Sequence, residues 1–241
     1  MSDLTDFDAT ARTPGAILSA QRDRSGSLQA VLFDMDGTLL DSEKLWTIAL
    51  DELAAALGGQ LSEAGRAAMV GSNLADSIEI IAADLQVSVD PIWAGRYLTD
   101  RTAEQFAGGL EWRPGAQELL QAVAAAGIPA ALVTSTHRRL TEIALETLGR
   151  QYFAATVCGD EVAHPKPAPH PYLRAAQLLG VDPVRSLAIE DSPLGIAAAE
   201  AAGCAVLAVP SEVAISPAPS RTLRPSLLGL TPQDLADLVT G

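Results

Sequence analysis

Two carboxylates one residue apart close the apolar run Val31-Leu32-Phe33-Asp34-Met35-Asp36-Gly37-Thr38. Residues at i and i+2 of an extended strand share a face, and a glycine at position 37 permits a tight turn beyond it. A carboxylate pair at the carboxyl end of a buried strand is where an open α/β sheet places its ligand site. In isolation a solvated turn after a core strand reads the same way, but three further clusters accompany this one. Thr134-Ser135-Thr136 sets hydroxyls between an apolar run and a helical pattern. Hydroxyls and free backbone N–H groups at a helix start make an anion site, although Ser and Thr also cap helices routinely. In His164-Pro165-Lys166-Pro167-Ala168-Pro169, prolines on both sides of a lysine stiffen the loop and restrict where the ammonium points. Glu190-Asp191-Ser192-Pro193 places two acids after a fourth apolar run, with Gly195 close by. As a helix cap, Asp191 or Ser192 needs no function.

Taken together the clusters make one site. Carboxylates at two strand ends suit Mg²⁺, a hard cation that wants oxygen ligands and keeps several waters. A lysine, hydroxyls and backbone donors suit a phosphate. Metal, lysine and dipoles together neutralise phosphate charge, which is the equipment of phosphoryl transfer.

The elements that must position these residues are readable from periodicity. Strand signals fall at residues 30–33, 128–133, 155–158, 187–189 and 205–209. Helical patterns fill 116–126, 139–148, 171–179 and 193–202, with Gly127, Gly149, Gly180 and Gly203 where helix stops are expected. Strands alternating with helices predict right-handed βαβ units and a doubly wound, Rossmann-like parallel sheet. The rhythm breaks between the first two strands. Helical signals near 45–57, 62–70, 75–85 and 91–106 are too much chain for one crossover, and Ser62 and Asp90 are placed to cap two of them. The expected organisation is a flexible N-terminal extension at 1–27 with a short helix near Ile17-Leu18. An α/β core follows at 28–42 and 113–241, with an inserted helical cap at 43–112. Placed directly after the carboxylate pair, the insert would sit over the site and select substrate. Residues 210–225 are Pro- and Ser-rich and read as irregular, and Thr231-Pro232 opens a last helix over 231–239.

Composition limits the partners. Apolar residues make up 48% and charged ones 19%, which suits a globular chain. A net charge of −14 argues against nucleic acid and anionic membrane, and obliges an anionic substrate to find local cations. No apolar run reaches the length of roughly 18 residues that a membrane span needs. Residues 1–27 lack the apolar core of a signal peptide, and Cys158 and Cys204 are too few and too far apart for a disulfide framework or a zinc site. The expected setting is the cytoplasm, as a monomer or small homo-oligomer.

Asp34-Met35-Asp36-Gly37-Thr38, Thr134, Lys166-Pro167-x-Pro169 and Glu190-Asp191-Ser192-x-x-Gly195-Ile196 match, in order and spacing, the four motifs of the haloacid dehalogenase superfamily. The match spans about residues 30 to 210, and the insert resembles that family's C1-type cap. The continuation Leu40-Asp41-Ser42-Glu43 is similar to the branch holding β-phosphoglucomutase and small sugar-phosphate phosphatases. The resemblance implies that Asp34 attacks phosphorus and that Asp36 serves as acid and then base. It implies that Thr134 and Lys166 hold the phosphoryl group, with Ser135 beside them. Asp34, the Asp36 backbone carbonyl and Asp191 would ligate Mg²⁺, with Glu190 at the metal directly or through water. The implied activity is Mg²⁺-dependent hydrolysis of a small phosphorylated metabolite through an aspartyl-phosphate.

Rivals are weighed by departures from the pattern. Dehalogenases attack carbon and generally lack the second aspartate, which Asp36 supplies here. Phosphonate hydrolysis uses a cap lysine, and the insert's Lys44 stands in a different context. The serious alternative is a phosphosugar mutase. β-Phosphoglucomutases carry a cap histidine near Trp46 and a cap arginine near Gly71-Ser72-Asn73-Leu74, where this chain has Leu74; Arg66 is the arginine placed to substitute. His170 stands where related chains have a capping aspartate, and His137 and Arg138 follow the second motif, Arg138 as a further candidate phosphate contact. Trp46, Trp93 and Trp112 are expected to pack the insert, Trp46 near enough to the site to shape the substrate pocket, and Arg113-Pro114 to form a hinge. A non-enzymatic relative would be expected to have lost Asp34 or Asp36, and both are present.

Overall fold

A computed structural model describes residues 27–69 and 72–240; the expected N-terminal extension and its short helix lie outside the described residues, Ser27 excepted. The sheet contains β1 (Ala30–Phe33), β2 (Ala130–Val133), β3 (Ala155–Val157), β4 (Ser186–Glu190), β5 (Ala205–Ala208) and β6 (Arg221–Leu223). Its order is β3-β2-β1-β4-β5-β6, and every pairing is parallel. This is a doubly wound α/β fold whose strand order reverses between β1 and β4, the position where such sheets bind ligands.

Period-two alternation decides which residues face which layer. Val31 and Phe33 join Leu132, Leu187 and Ile189 on one face, covered by α5 (Ala116–Ala125), α6 (Arg138–Leu148) and α9 (Pro232–Thr240). Ala30 and Leu32 join Ala131, Val133 and Ala188 on the other, under α7 (His170–Leu179) and α8 (Pro193–Ala202). Both faces are covered, so β1, β2 and β5 are apolar throughout and β4 is apolar from Leu187 to Ile189, between Ser186 and Glu190.

Between β1 and α5 run four helices: α1 (Glu43–Ala56), α2 (Glu63–Met69), α3 (Leu74–Leu85) and α4 (Pro91–Ala107). They bury their own cluster, with Leu53, Ile78, Ile81 and Leu98 at its centre. Ser62 caps α2 through the Gly65 N–H at 2.9 Å, and Asp90 accepts from the Ile92 N–H with Pro91 at the first helical position. At the base of these helices the two connecting segments lie side by side: Asp41 N–H donates to the Glu111 carbonyl at 2.9 Å and Arg113 N–H to that of Leu39 at 2.8 Å. The Arg139 guanidinium on α6 pairs with Asp100 on α4 at 2.6 Å, joining insert to core.

The stretch read as irregular contains β6. Arg221–Leu223 is too short to show a period, and it is fixed by pairing with β5 and by the Arg221 guanidinium gripping Glu200 on α8 at 2.7 and 2.8 Å. No helix among the described residues is long and apolar enough to cross a membrane.

Candidate active site

The carboxyl ends of β1, β2 and β4 bring the four clusters into one cavity of about 520 Å³ beneath the helical insert. Asp34, Asp36, Thr134, Ser135, Lys166 and Asp191 all line it. Glu190 lies behind them, fully buried.

Asp34 and Lys166 form the centre. Lys166 Nζ is 2.6 Å from Asp34 Oδ1, 2.6 Å from Glu190 Oε1 and 2.9 Å from the Val133 carbonyl oxygen. Burial pulls the ammonium toward deprotonation, but Asp34 and Glu190 outweigh it and hold the lysine charged above its ordinary range. Glu190 is committed to the protein: Oε1 also accepts from the Tyr172 hydroxyl at 2.5 Å, and Oε2 from Ser192 Oγ at 3.3 Å. A side chain at position 195 would place its Cβ 2.0 Å from both oxygens, so the first turn of α8 requires Gly195.

Asp36 faces a different set of partners. Its Oδ1 accepts from Ser42 Oγ at 2.5 Å and from the Trp46 indole N–H at 3.3 Å. Its Oδ2 accepts from Thr136 Oγ1 at 2.7 Å and Thr134 Oγ1 at 3.3 Å. The two carboxylates of the first motif are therefore separated: one is paired with a cation, the other with neutral hydroxyl and indole donors. Gly37, at φ +77°, makes the turn that achieves this, and a Cβ there would meet Asp191 Oδ2 at 2.2 Å.

The site fits a cation. Carboxylate oxygens of Asp34, Glu190 and Asp191 lie within 4.8 Å of one another, all three buried, with one lysine among them. Burial, with the neighbouring carboxylates adding to it, drives Asp34 well above its ordinary value, and burial and Glu190 push Asp191 up to about 7. Three buried acids stand against one ammonium, and oxygen donors of this kind suit a hard divalent ion. Asp191 is oriented by Ser211 Oγ at 2.5 Å and Thr38 Oγ1 at 3.3 Å. The Asp36 side chain is outside the cluster, which leaves only its backbone for a metal.

Several supporting residues went unassigned in the sequence. Thr136 stands inside the second motif, yet a run of three hydroxyls does not say which one turns toward Asp36. Tyr172 reads as an apolar position of α7, and Ser211 lies in an aperiodic stretch, so neither carries a signal. Of the secondary candidates, Arg138 is engaged by Glu161 at 2.7 and 2.8 Å and by Glu142 at 3.2 Å. His170 opens α7 without capping it and lies against His164, ring centroids 4.8 Å apart. His137 lines the cavity, and Trp46 meets Phe106 edge-on at 6.2 Å.

The family model described as haloacid dehalogenase-like hydrolase matches residues 31–209. The chain belongs to that family. Among its relatives, the (DL)-glycerol-3-phosphatase 1, mitochondrial, of Arabidopsis thaliana is 32% identical over 85% of this chain and 72% of its own length. The fructose-1-phosphate phosphatase YqaB of Escherichia coli K12 is 34% identical over 72% of this chain and 92% of its own. A solved structure of a point variant of CbbY from Rhodobacter sphaeroides, in complex with xylulose-(1,5)bisphosphate, superposes with a TM-score of 0.74 at 29% identity, covering 84% of this chain and 96% of that one.

Proposed function

We propose that the chain is a Mg²⁺-dependent phosphatase of small phosphorylated metabolites, sugar phosphates among them, that works through an aspartyl-phosphate on Asp34. The observation that carries this reading is the separation of the two carboxylates: Asp34 beside Lys166 in an acidic, buried cluster, and Asp36 among neutral donors on the cavity wall. The relatives named for glycerol 3-phosphate and fructose 1-phosphate support the reaction class.

Asp34 and Asp191 would hold the metal with the Asp36 carbonyl, and Glu190 would act chiefly by aiming Lys166. When bound, Mg²⁺ supplies positive charge at the phosphate oxygens and favours the ionised Asp34. Lys166, Thr134 and Ser135 hold the phosphoryl group in line with Asp34. An Asp34 oxygen attacks phosphorus, the ester P–O bond breaks, and Asp36 gives its proton to the departing alcohol. Asp36, now ionised, takes a proton from a water that attacks the aspartyl-phosphate, releasing inorganic phosphate and regenerating Asp34. The helices over the site would act as a cap that shields this chemistry and shapes the leaving-group pocket.

The mutase alternative is disfavoured by the cavity wall. Trp46 and Leu74 line it where the resemblance calls for a histidine and an arginine, and Arg66, which also lines it, is paired with Asp51 at 2.6 Å. Phosphate release with and without Mg²⁺, across phosphorylated sugars, polyols and small acids and including β-glucose 1-phosphate scored for glucose 6-phosphate, tests the reading. Mg²⁺-dependent release is expected; isomerisation with little free phosphate would overturn it.

A further inference from the structure

The leaving-group side of the cavity carries an arrangement of charge that the hydrolytic reading does not use. Among the described residues, Lys166 and Arg66 are the lysine and arginine side chains lining it. Lys166, paired with Asp34 and Glu190, belongs to the phosphate end. Arg66, on α2, is bound by Asp51 of α1, with its Nη2 2.6 Å from Asp51 Oδ1. Asp51 stands outside the lining, while Glu43, Glu63 and Glu212 belong to it. Other lining residues are apolar, as at Leu50, Leu61 and Leu98, or neutral and polar, as at Thr47, Asn73 and Thr99, with His137 adding an imidazole. A substrate tail bearing a carboxylate or a second phosphate would enter a pocket with carboxylates on its walls and its one guanidinium already paired. Hydroxyls of an uncharged polyol find donors, acceptors and apolar surface.

Resting on the phosphatase reading, we infer that the site selects phosphomonoesters whose alcohol portion is uncharged, and that the Asp51–Arg66 pair enforces this by withholding the guanidinium from an anionic tail. Both side chains are partly exposed, 42% for Arg66 and 44% for Asp51, and an exposed pair is a weak one. The pair therefore biases the site by a modest factor, and the carboxylates of Glu63 and Glu212 add to it.

The test is kcat/KM with saturating Mg²⁺ at pH 8. Glycerol 3-phosphate and fructose 1-phosphate are compared with 2-phosphoglycolate and fructose 1,6-bisphosphate. The wild-type chain is expected to favour the uncharged pair by at least about tenfold. Asp51→Asn, which frees Arg66, is expected to raise kcat/KM for the anionic-tailed pair relative to the uncharged pair by roughly threefold to tenfold, chiefly through KM. Arg66→Ala in the Asp51→Asn background should remove that gain, which a general loosening of α1 and α2 would not. A wild-type preference for the anionic tails, or an Asp51→Asn effect equal on all four esters, overturns the inference. Hydrolysis of none of the four overturns this inference, and Mg²⁺-dependent release from no ester of the wider panel overturns the phosphatase reading itself.

Discussion

The indole N–H of Trp46, on the first helix of the insert, donates to Oδ1 of Asp36 on the core at 3.3 Å. A side chain of the overlying helices thus touches the carboxylate proposed to move the protons. Trp46→Phe keeps an aromatic ring against Phe106 and removes the donor. One hydrogen bond of this kind is worth about 0.5–1.5 kcal/mol, so kcat should fall by roughly threefold to tenfold, with KM much less changed. Steady-state kinetics on one good substrate measures this; an unaltered kcat would show that Ser42, Thr134 and Thr136 hold Asp36 sufficiently alone.

Asp34→Asn replaces the proposed nucleophile with an amide of the same shape. Turnover should drop by at least about a thousandfold while the chain remains folded, and mass spectrometry of acid-quenched wild-type enzyme should find a phosphoryl adduct that the variant lacks. Wild-type hydrolysis by Asp34→Asn would mean another group attacks phosphorus.

Much of this arrangement was legible in the sequence. The strands ending at Phe33, Val133 and Glu190 announce themselves as apolar runs, and residues just beyond them line the candidate site. Lys166 could be singled out because prolines flank it, and it is found buried against Asp34 and Glu190. What stayed hidden is what depends on distance in space rather than spacing in sequence. Tyr172 reaches Glu190 from a helix that otherwise reads as plain packing, and Ser211 reaches Asp191 from a stretch with no period. Strand β6 was missed for a related reason: three residues carry no alternation, and its place is set by a neighbour and by an arginine pair.

Removing Lys166 tests the buried charge balance directly. Lys166→Met leaves Asp34 and Glu190 facing each other without a cation, and breaking one side of a buried pair costs about 3–5 kcal/mol. Urea unfolding of the metal-free protein should show a loss of that order. Adding Glu190→Gln should recover part of it, because the two changes act on one network. Simply additive losses would count against the coupling.

Acidity and metal should each stabilise the fold, at opposite ends of the pH range. Asp34 and Asp191 are both held above their ordinary value of 3.8, Asp191 at about 7, so the folded metal-free chain keeps protons that the unfolded chain has released. That contribution is full below about pH 4 and lost as pH rises through about 7. Without metal, these two groups should make the midpoint of thermal unfolding fall between pH 5 and pH 8 in a scan by circular dichroism. Mg²⁺ binds the ionised carboxylates, so the rise it gives should be larger at pH 8 than at pH 6. An equal rise at both would disconnect the ion from these acids.

Gly195→Ala should be costly despite its conservative chemistry. The new methyl would stand 2.0 Å from both Glu190 oxygens, and the displaced carboxylate would release Lys166 and Tyr172 together. Activity should fall by more than about tenfold and the unfolding midpoint should drop with it. A neutral result would show that α8 can shift to admit the methyl.

The pairing of Leu40 with Trp112 has a consequence for how this chain is built. The chain leaves the sheet and returns to it through neighbouring antiparallel segments, whose backbones stand about 5 Å apart. A short turn would close that gap, and so would any foreign helical unit whose ends meet as closely. The helices are in this sense a cassette: the proposed nucleophile is encoded on one side of a narrow junction and the proposed selectors, Asp51 and Arg66, on the other. On that reading, recombination at the junction would exchange the clientele of the enzyme and leave its reaction in place.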